Sequence, residues 1–424
     1  MSQMPAGLYI SVPFCRTKCS YCNFASDVFS RAVFKRYVDR VCDDLAHAGP
    51  IAETSGGQFE REVDSVYLGG GTPTVLDVTE LERLFVTIRQ NFEVHADAEI
   101  TVECAPGTLT PAVLETLVRC GVNRVSLGVQ SYVDKEAASV GRLHNRATVI
   151  SDIARLRLVG ISNINVDLIA GLPHQTKESW EISLDEVTAA GVPHVSVYML
   201  EVDEDSRLGR ELIAGGTRYH AHFVPDEDLT ADLYVMACEW LDRMGVTQYE
   251  ISNFAQPGCE SRHNFKYWTR QPYFGFGVDA HSMLHAADDP YVTANTGGRN
   301  HAGGSAPCEV LAADLDAVRL ATPDALEDYV AGKPLKRTPV SRHSALEEEF
   351  FLGLRLTRGV NLRNLAGAYG PAVVAGYAGV IDEMIEAALL QHDGDVIRLS
   401  PRGRLLSNLV FERFLSDDAV AGKY

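Results

Sequence analysis

The chain lacks any long hydrophobic segment. No uninterrupted apolar run among its 424 residues approaches the ~18–20 residues that a membrane-spanning helix needs. The N-terminal string MSQMPAGLYISVPFC also lacks the basic region and long apolar core of a secretory signal. Hydrophobic residues make up 46% of the sequence, which is ample for a packed core. We therefore expect a globular cytoplasmic protein with about two or three domains.

Positive charge is also scarce. The chain has 38 Lys and Arg residues against 57 Asp and Glu residues, a formal net charge of -19. Binding to a nucleic-acid backbone depends on Lys and Arg side chains that displace counterions. The composition therefore argues against a nucleic acid as the main partner.

The nine cysteines do not suggest disulfides or a closed zinc site. Their number is odd and no secretory signal precedes them, which disfavours a disulfide framework. A structural zinc site usually needs two closely spaced cysteine pairs, and no second pair exists. Six cysteines occur singly: Cys42, Cys104, Cys120, Cys238, Cys259 and Cys308.

The remaining three cysteines, Cys15, Cys19 and Cys22, lie together in the string PFCRTKCSYCNF. Soft thiolates at this spacing select an iron–sulfur cluster, zinc or Cu(I). A [4Fe-4S] cluster normally takes four thiolates, and Phe24 occupies the position where a nearby fourth would be sought. Three thiolates would leave one iron open to a small molecule. From spacing alone, zinc and plain buried thiols remain alternatives.

Strands and helices alternate along the first half of the chain. Helical periodicity at Leu81–Phe92 and Val149–Leu158 separates short β-branched and aromatic runs. Six βα units of this kind predict an α/β protein with a parallel sheet, either a partial (β/α) barrel or a doubly wound open sheet. The six strand-like runs are Leu8–Phe14, Ser65–Leu68, Glu99–Glu103, Arg124–Val129, Asn163–Ile169 and His194–Leu200.

Unusual residues follow these strands, at the end where a barrel would place its active site. The glycine-rich string Gly69–Thr74 lets a ligand approach the backbone, or forms a tight turn. Glu103 ends the third strand and either serves the site or faces solvent. Gln130 ends the fourth strand, and Arg142 follows it. Asp167 lies among apolar residues of the fifth strand, which is hard to explain unless that strand is an exposed edge.

The cysteine spacing followed by an aromatic residue resembles the radical S-adenosylmethionine (SAM) superfamily. The strings YISVPFC, GGGTPT, RVSLGVQS, VDLIAGLP, YEISNFA and SRHNFKYW, spread over residues 9 to about 282, are similar to the oxygen-independent coproporphyrinogen III oxidase family. The resemblance implies a [4Fe-4S] cluster on Cys15, Cys19 and Cys22 whose open iron binds SAM. It implies a SAM site lined by Tyr9, Gly70, Gly71, Thr72, Glu103, Gln130, Arg142 and Asp167.

Two features point to one branch of that family. The oxidases tend to carry a fourth cysteine and a longer N-terminal extension, whereas here Phe24 replaces that cysteine and fourteen residues precede Cys15. The HNFKYW string at His263–Trp268 is typical of the heme-chaperone (HemW) branch. The resemblance therefore implies a chaperone that binds heme and passes it to apo-hemoproteins such as respiratory enzymes. A coproporphyrinogen III dehydrogenase is the alternative, and a radical SAM enzyme with another substrate is a third.

Residues 246–340 are expected to connect two domains. Tyr249–Phe254 alternates like a seventh strand, and Cys259 and His263 precede an aromatic cluster. A histidine or cysteine ligand within aromatic walls suits heme, although the same residues could simply pack in a core. Within this region, residues 288–307 read as a glycine-rich loop.

Residues 341–424 predict a small, mainly helical domain with a short strand or wing. Its nine Lys and Arg residues against eleven Asp and Glu residues lack the basic face of a DNA-binding winged helix. The Ala- and Gly-rich stretch Ala366–Gly379 is expected to form a close helix contact. The domain prediction is thus a partial barrel in 1–245, a connection in 246–340 and a helical domain in 341–424. An electron donor, a homodimer and peripheral membrane contact through partners are further expectations.

Overall fold

A computed structural model describes residues 4–287 and 314–416. The predicted loop at 288–307 lies outside the described residues, as do Cys308 and the last eight residues of the chain. The first large sheet contains twelve strands: β1 (Ala6–Val12), β2 (Glu62–Gly70), β3 (Glu93–Cys104), β4 (Arg124–Gln130), β5 (Asn163–Ala170), β6 (His194–Met199), β7 (Thr247–Gln248), β8 (Asn253–Ala255), β9 (Tyr273–Phe276), β10 (His281–His285), β11 (Leu315–Ala321) and β12 (Lys336–Ser341).

Strands β1 to β6 are parallel and lie side by side in chain order, which confirms the six βα units. In a doubly wound sheet the order of the parallel strands reverses at an internal strand, and the order of β1 to β6 does not reverse. The sheet order is β12-β11-β10-β9-β1-β2-β3-β4-β5-β6-β8-β7, and its two end strands do not pair within the described ranges. The sheet is therefore a partial barrel that stays open on one side.

Helices follow most of the parallel strands. Many begin at a Ser, Thr, Asn or Asp whose side chain accepts a hydrogen bond from the first turn, as Thr110, Asn145 and Thr176 do. The α-helices in residues 4–287 and 314–341 are α1 (Phe34–Ala46), α2 (Ala48–Thr54), α3 (Val78–Asn91), α4 (Pro111–Arg119), α5 (Asp134–Ser139), α6 (Arg146–Leu158), α7 (Lys177–Ala190), α8 (Arg207–Ala214), α9 (Glu227–Arg243), α10 (Arg262–Trp268) and α11 (Leu326–Val330).

The side chains of β1 show what each face of the sheet contacts. Leu8, Ile10 and Val12 are fully buried in the main hydrophobic core. Tyr9 points to the opposite face, where its ring lies 6.1 Å from that of Tyr67, its register partner on β2. Since alternate residues of a strand face opposite sides, one face packs on helices and the other lines the barrel interior.

The expected seventh strand is wrong in detail. Residues 249–252 form a turn between β7 and β8, which pair antiparallel with each other. The carboxylate of Glu250 accepts hydrogen bonds from the backbone of Ser252 and the side chain of Asn253, and this holds the turn closed. Strand β8 also pairs antiparallel with β6.

Residues 246–340 were expected to connect two domains, and their described part adds strands to the large sheet. Strand β9 pairs parallel with β1, and β10, β11 and β12 add antiparallel strands outside it. The domain boundaries at residues 245 and 340 stay predictions, although the sheet itself continues across the first of them.

A smaller unit follows, with a three-stranded sheet in the order β13-β15-β14. Its core includes Leu346, Phe350, Ile397 and Phe414, so the mainly helical domain with a short β wing is confirmed. Its elements are α12 (Arg342–Gly353), β13 (Val360–Asn361), α13 (Leu362–Tyr369), α14 (Pro371–Ala375), α15 (Ala378–Glu386), β14 (Leu390–Asp393), β15 (Val396–Leu399), α16 (Pro401–Leu405) and α17 (Ser407–Glu412).

The expected close helix contact at Ala366–Gly379 is seen between α13 and α14, with Ala366 and Val374 packed in the core of the small unit. The stretch is divided among α13, α14 and α15, and Gly370 between the first two has φ +101°. A Cβ atom at Gly367, Gly370 or Gly379 would meet nothing within 4 Å. Gly370 therefore ends α13, whereas the contact itself does not depend on the absence of a Cβ atom at Gly367, Gly370 or Gly379.

A buried ion-pair network joins the small unit to the sheet. Arg270 donates to the Glu348 carboxylate at 2.8 Å and to Asp316 at 2.9 Å. Arg319 on β11 donates to the other oxygen of Glu348 at 3.0 Å. Across the part of the chain that the structure describes, no helix is long and apolar enough to cross a membrane.

Candidate functional site

A cavity of about 780 Å³ opens at the carboxyl ends of the parallel strands. The loop that carries Cys15, Cys19 and Cys22, called the cysteine loop below, forms one side together with the ends of β2 to β6. Residues 404–409 of the small unit form part of the other side. Ten of the residues singled out from the sequence line it: Cys15, Cys19, Cys22, Gly70, Gly71, Thr72, Glu103, Gln130, Arg142 and Asp167.

The cysteine loop follows β1 directly. Backbone hydrogen bonds hold it: Cys15 N–H donates to Asp27 at 3.0 Å, and Ser20 N–H donates to Val140 at 3.1 Å. Burial raises the pKa of the Cys15 thiol, while hydrogen bonds from Ser26 and Thr72 favour its thiolate and oppose that rise.

Each of the three sulfurs has a polar neighbour. The Thr72 hydroxyl lies 3.9 Å from the sulfur of Cys15, and the Ser26 hydroxyl lies 3.9 Å from that of Cys22. Arg142 donates to the sulfur of Cys19 at 3.5 Å. A donor beside each sulfur suits thiolates that carry negative charge.

The donor set fits an iron–sulfur cluster. Within residues 4–287 and 314–416, no three His, Cys, Asp or Glu side chains are gathered around the position of one metal ion. A cubane cluster does not need that arrangement, because each thiolate binds a different iron. Three half-buried or buried thiols on one loop, facing a cavity, match that requirement.

The glycine turn is packed against the start of the cysteine loop. Gly71 N–H donates to Val12 and Thr72 N–H donates to Phe14, both at 2.8 Å. A Cβ atom on Gly71 would lie 2.7 Å from the carbonyl oxygen of Val12, and Gly70 has φ +95°. The turn therefore requires glycine for its own backbone, before any ligand is considered.

Glu103 faces the cavity from the end of β3. It accepts a hydrogen bond from the Tyr67 hydroxyl at 2.8 Å. Burial, together with the nearby charge of Asp167, raises the pKa of Glu103 to about 7 despite that hydrogen bond. The carboxyl group can thus either donate or accept a hydrogen bond near neutral pH.

Asp167 lies on β5, between β4 and β6, so the exposed-edge explanation is excluded. Its carboxylate accepts hydrogen bonds from Ser126 at 3.1 Å and from Asn165 at 2.7 Å. Burial raises the pKa of Asp167, and bonds from Ser196, Asn165 and Ser126 oppose the rise. Sequence reasoning missed these three neighbours, although each is polar at an inward position of an otherwise apolar strand.

Gln130 and Arg142 are positioned by an irregularity in β4. The register with β5 shifts between Gly128 and Gln130, and Gln130 has φ +70°. Arg142 donates to the carbonyl of Gly128 as well as to Cys19. The bulge thus directs the strand end toward the cysteine loop.

Tyr9 and His263 lie outside the cavity lining. The Tyr9 hydroxyl is 3.3 Å from the position that a Cβ atom of Gly70 would take, so Tyr9 lies behind the glycine turn. His263 is 1% exposed. One ring nitrogen of His263 bonds to Ser65 at 3.0 Å and the other bonds to Tyr267 at 2.9 Å.

The environment of His263 keeps it neutral. Burial, with added repulsion from Lys266 and Arg124, lowers the pKa of His263 to about 3. Its ring stacks on Tyr67 at 5.3 Å. In this arrangement both nitrogens are engaged within the protein, so binding to iron through either nitrogen would require the hydrogen bond at that nitrogen to be broken.

Family models identify the class that this fold and site define. The radical SAM superfamily model matches residues 9–187, and the HemN C-terminal domain model matches residues 340–406. The solved structure of coproporphyrinogen III oxidase (HemN) from Escherichia coli superposes with a TM-score of 0.76 at 21% identity, covering 97% of this chain and 90% of that chain. This is the fold of a radical SAM protein, a class whose cofactors are a [4Fe-4S] cluster and SAM.

Relatives identify the family within that class. The heme chaperone HemW of Lactococcus lactis is 32% identical over 419 residues, covering 99% of both chains. The heme chaperone HemW of Bacillus subtilis is 32% identical over 411 residues, covering 96% of this chain and 99% of the relative. The chain belongs to the heme chaperone HemW family, as its motifs predicted.

Proposed function

We propose that this chain is a heme chaperone, which binds heme and passes it to apo-hemoproteins such as respiratory enzymes. The observation that carries the proposal is its 32% identity to the heme chaperone HemW of Lactococcus lactis along 99% of both chains. Phe24 adds support. It lines the cavity and is 65% exposed at the position where the oxidases tend to carry a fourth cysteine.

We assign the cluster to Cys15, Cys19 and Cys22. When bound, a [4Fe-4S] cluster with an open iron supplies one electron to SAM. The chain's own part is to hold the thiolates: Thr72, Ser26 and Arg142 lie close enough to donate hydrogen bonds to the sulfurs. Such bonds to cluster sulfurs tune reduction potential.

We assign the SAM site to the cavity floor. Gly70, Gly71 and Thr72 line it beside the cysteine loop, and Glu103 and Asp167 provide carboxyl groups that suit hydroxyl and amino groups of SAM. Gln130 and Arg142 add polar contacts at the end of β4. Tyr9 acts from behind the turn, by supporting Gly70.

The remaining assignments concern surroundings and partners. An electron donor is needed because the cluster must be reduced before it supplies an electron. A cytoplasmic location, a homodimer and peripheral membrane contact through partner proteins are part of the proposal. They rest on the sequence expectations alone.

Heme ligation by His263 stays a prediction. Ligation predicts that His263→Ala changes the spectrum of bound heme. Loss of the two hydrogen bonds to Ser65 and Tyr267 could change the same spectrum indirectly, by loosening the local structure. His263→Gln, which can replace part of those bonds, separates the two explanations. Ligation predicts that both variants change the spectrum, whereas a structural role predicts that glutamine restores it.

Heme uptake tests the function. Anaerobically reconstituted protein, titrated with heme, is expected to shift the Soret band and to saturate at a fixed ratio per chain. Bovine serum albumin, which binds heme without transferring it specifically, serves as the comparison for release to an apo-hemoprotein. Absence of saturable uptake would contradict the proposal.

A further inference from the structure

The cationic side chains of the cavity are not all neutralised. Arg142 is occupied by Gly128 and Cys19, as described above. Arg124 is 2% exposed on β4, and its charge lowers the pKa of Glu103 and of Asp167, although its Nε, like that of Arg142, has no hydrogen-bond partner among the described residues. Arg124 and Arg142 therefore face the barrel side of the cavity, with the polar groups assigned to SAM. Arg16 and Lys18 of the cysteine loop also line the cavity, and they donate to the carbonyls of Gly107 and Phe24. The small unit adds Arg355 and Arg404, which line the opposite side.

Arg355 is incompletely satisfied. Its guanidinium lies 4.3 Å above the Trp268 ring, and its nearest carboxylate, Glu250, is 3.6 Å away, too far for a hydrogen bond. The Nε atom of Arg355 and one carboxylate oxygen of Glu250 are both buried without a hydrogen-bond partner. A buried donor of this kind is costly unless something completes it.

The guanidinium of Arg404 has fewer polar partners than that of Arg355. In the described ranges its guanidinium makes no hydrogen bond and no ion pair. Its charge acts on Tyr234 and Cys238 of α9, where it lowers the pKa of each group against the larger effect of burial. Tyr234 donates to the carbonyl of Ile251, one residue after Glu250, so both arginines adjoin the turn between β7 and β8.

Apolar side chains flank this cationic side of the cavity. Leu406 and Leu409 follow Arg404 on the same segment, line the cavity, and are 37% and 56% exposed. The cysteine loop side contributes Phe24, and Leu143 beside Arg142 is 74% exposed in the same cavity. Exposed apolar groups around two guanidinium groups suit a ligand with an apolar body and anionic edges.

We propose that Arg355 and Arg404 bind the propionate carboxylates of the tetrapyrrole cargo, with its macrocycle against Leu406, Leu409 and Phe24. The inference rests on the proposed heme-chaperone function and places the cargo on the side of the cavity formed by the small unit. Two guanidinium groups against the single carboxylate of Glu250 leave a net positive charge for the cargo to neutralise. SAM also carries a carboxylate, which is the competing source of the same chemistry.

Equilibrium titration of anaerobically reconstituted protein tests the proposal. Arg404→Ala is expected to raise the Kd for heme about tenfold, the size of one charge-assisted hydrogen bond, while Arg404→Lys retains part of the affinity. Arg402→Ala is the matched control, because Arg402 lies on the same helix, is exposed and does not line the cavity. Arg355→Ala is expected to act similarly, and iron content and the far-ultraviolet circular dichroism spectrum report whether that variant is folded.

Heme dimethyl ester supplies the second arm. It lacks both carboxylates, so wild-type protein should bind it more weakly than heme, and Arg404→Ala should weaken it no further. Equal binding of heme and ester, or an unchanged Kd for heme in Arg404→Ala, would overturn the carboxylate site and leave heme binding intact. A loss of SAM affinity without a loss of heme affinity would assign the arginines to SAM and overturn the proposal. Failure of the wild-type protein to bind heme would refute the proposed function as well.

Discussion

At the scale of single residues, each thiolate of the cysteine loop has a neighbouring side chain that can stabilise its negative charge. Each sulfur has a hydroxyl or guanidinium neighbour, and these neighbours come from separate parts of the chain: Thr72 from the glycine turn, Ser26 from the loop itself and Arg142 from beyond β4. The loop also carries Arg16 and Lys18, which line the same cavity, so an acidic protein offers an anionic cluster a locally basic site.

The first prediction concerns these sulfurs. Cys19→Ala should lower bound iron from about four atoms per chain to below one after anaerobic reconstitution, because every remaining thiolate is a required ligand. Cys238→Ala is the control, since Cys238 lies on α9 outside the cavity lining. Retention of a full cluster in Cys19→Ala would contradict the assignment.

The second prediction is a pH dependence. The pKa of Glu103 is about 7 in the folded chain and near 4.5 when exposed, so the unfolded chain ionises first as pH rises. Glu103 thus favours the folded state below pH 4.5, and this contribution disappears as pH rises to about 7. Between pH 5 and 8, wild-type protein should lose roughly 2 kcal/mol of unfolding free energy relative to Glu103→Gln.

Urea unfolding of SAM-free protein at several pH values measures that difference. Tyr67→Phe, which removes the hydrogen bond to Glu103, should raise the carboxyl pKa and move the loss to higher pH. Parallel stability curves for wild type and Glu103→Gln would show that Glu103 has an ordinary pKa.

Residues within contiguous motifs were the most predictable. The cysteine spacing and the glycine turn place neighbouring atoms through local geometry, so their positions at the cavity follow from the sequence. Arg404 carries no local signal, because its place in the cavity depends on how the small unit docks. His263 shows the converse: its motif predicts heme contact, whereas packing against Tyr67 and Ser65 decides its burial.

At the scale of elements, the open sheet is completed by antiparallel additions. Strands β9 to β12 extend one edge, and β7 and β8 extend the other. The alternation at Tyr249–Phe254 predicted one strand here, but the hydrogen bonds of Glu250 close a turn in the middle of it. A period-two pattern cannot reveal such a turn, because the turn is made by a side chain that folds back on its own backbone.

The third prediction tests the element contact that docks the small unit. Glu348 on α12 is 5% exposed at its side chain and bonds both Arg270 and Arg319. Glu348→Ala leaves two guanidinium groups without this partner in a buried setting and should cost about 3–5 kcal/mol of unfolding free energy. Arg363→Ala, which breaks the exposed pair with Asp395, should cost about 0–1 kcal/mol.

Urea denaturation measures both variants. Equal effects of Glu348→Ala and Arg363→Ala would mean that the buried network does not hold the small unit. Since that unit supplies Arg355 and Arg404 to the cavity, loosening it should also weaken heme binding.

At the scale of the whole molecule, the cavity lies between two parts with different chemistry. The barrel side carries the cysteines and the polar groups assigned to SAM, and the small unit carries unmatched arginines and exposed leucines. This division lets one protein hold a redox cofactor and an amphipathic cargo next to each other. The βα alternation of the sequence predicted the barrel side of the cavity. The other side could not be predicted, because it depends on how the small unit docks against the barrel.

The central claim is that this arrangement delivers heme and does not convert a porphyrinogen. The most direct test supplies one anaerobic preparation, loaded with cluster, SAM and reductant, either with heme and an apo-hemoprotein or with coproporphyrinogen III. We expect the activity of the acceptor hemoprotein to rise faster than with free heme, and we expect no protoporphyrinogen to form. SAM-dependent formation of protoporphyrinogen, without assisted transfer of heme, would contradict it.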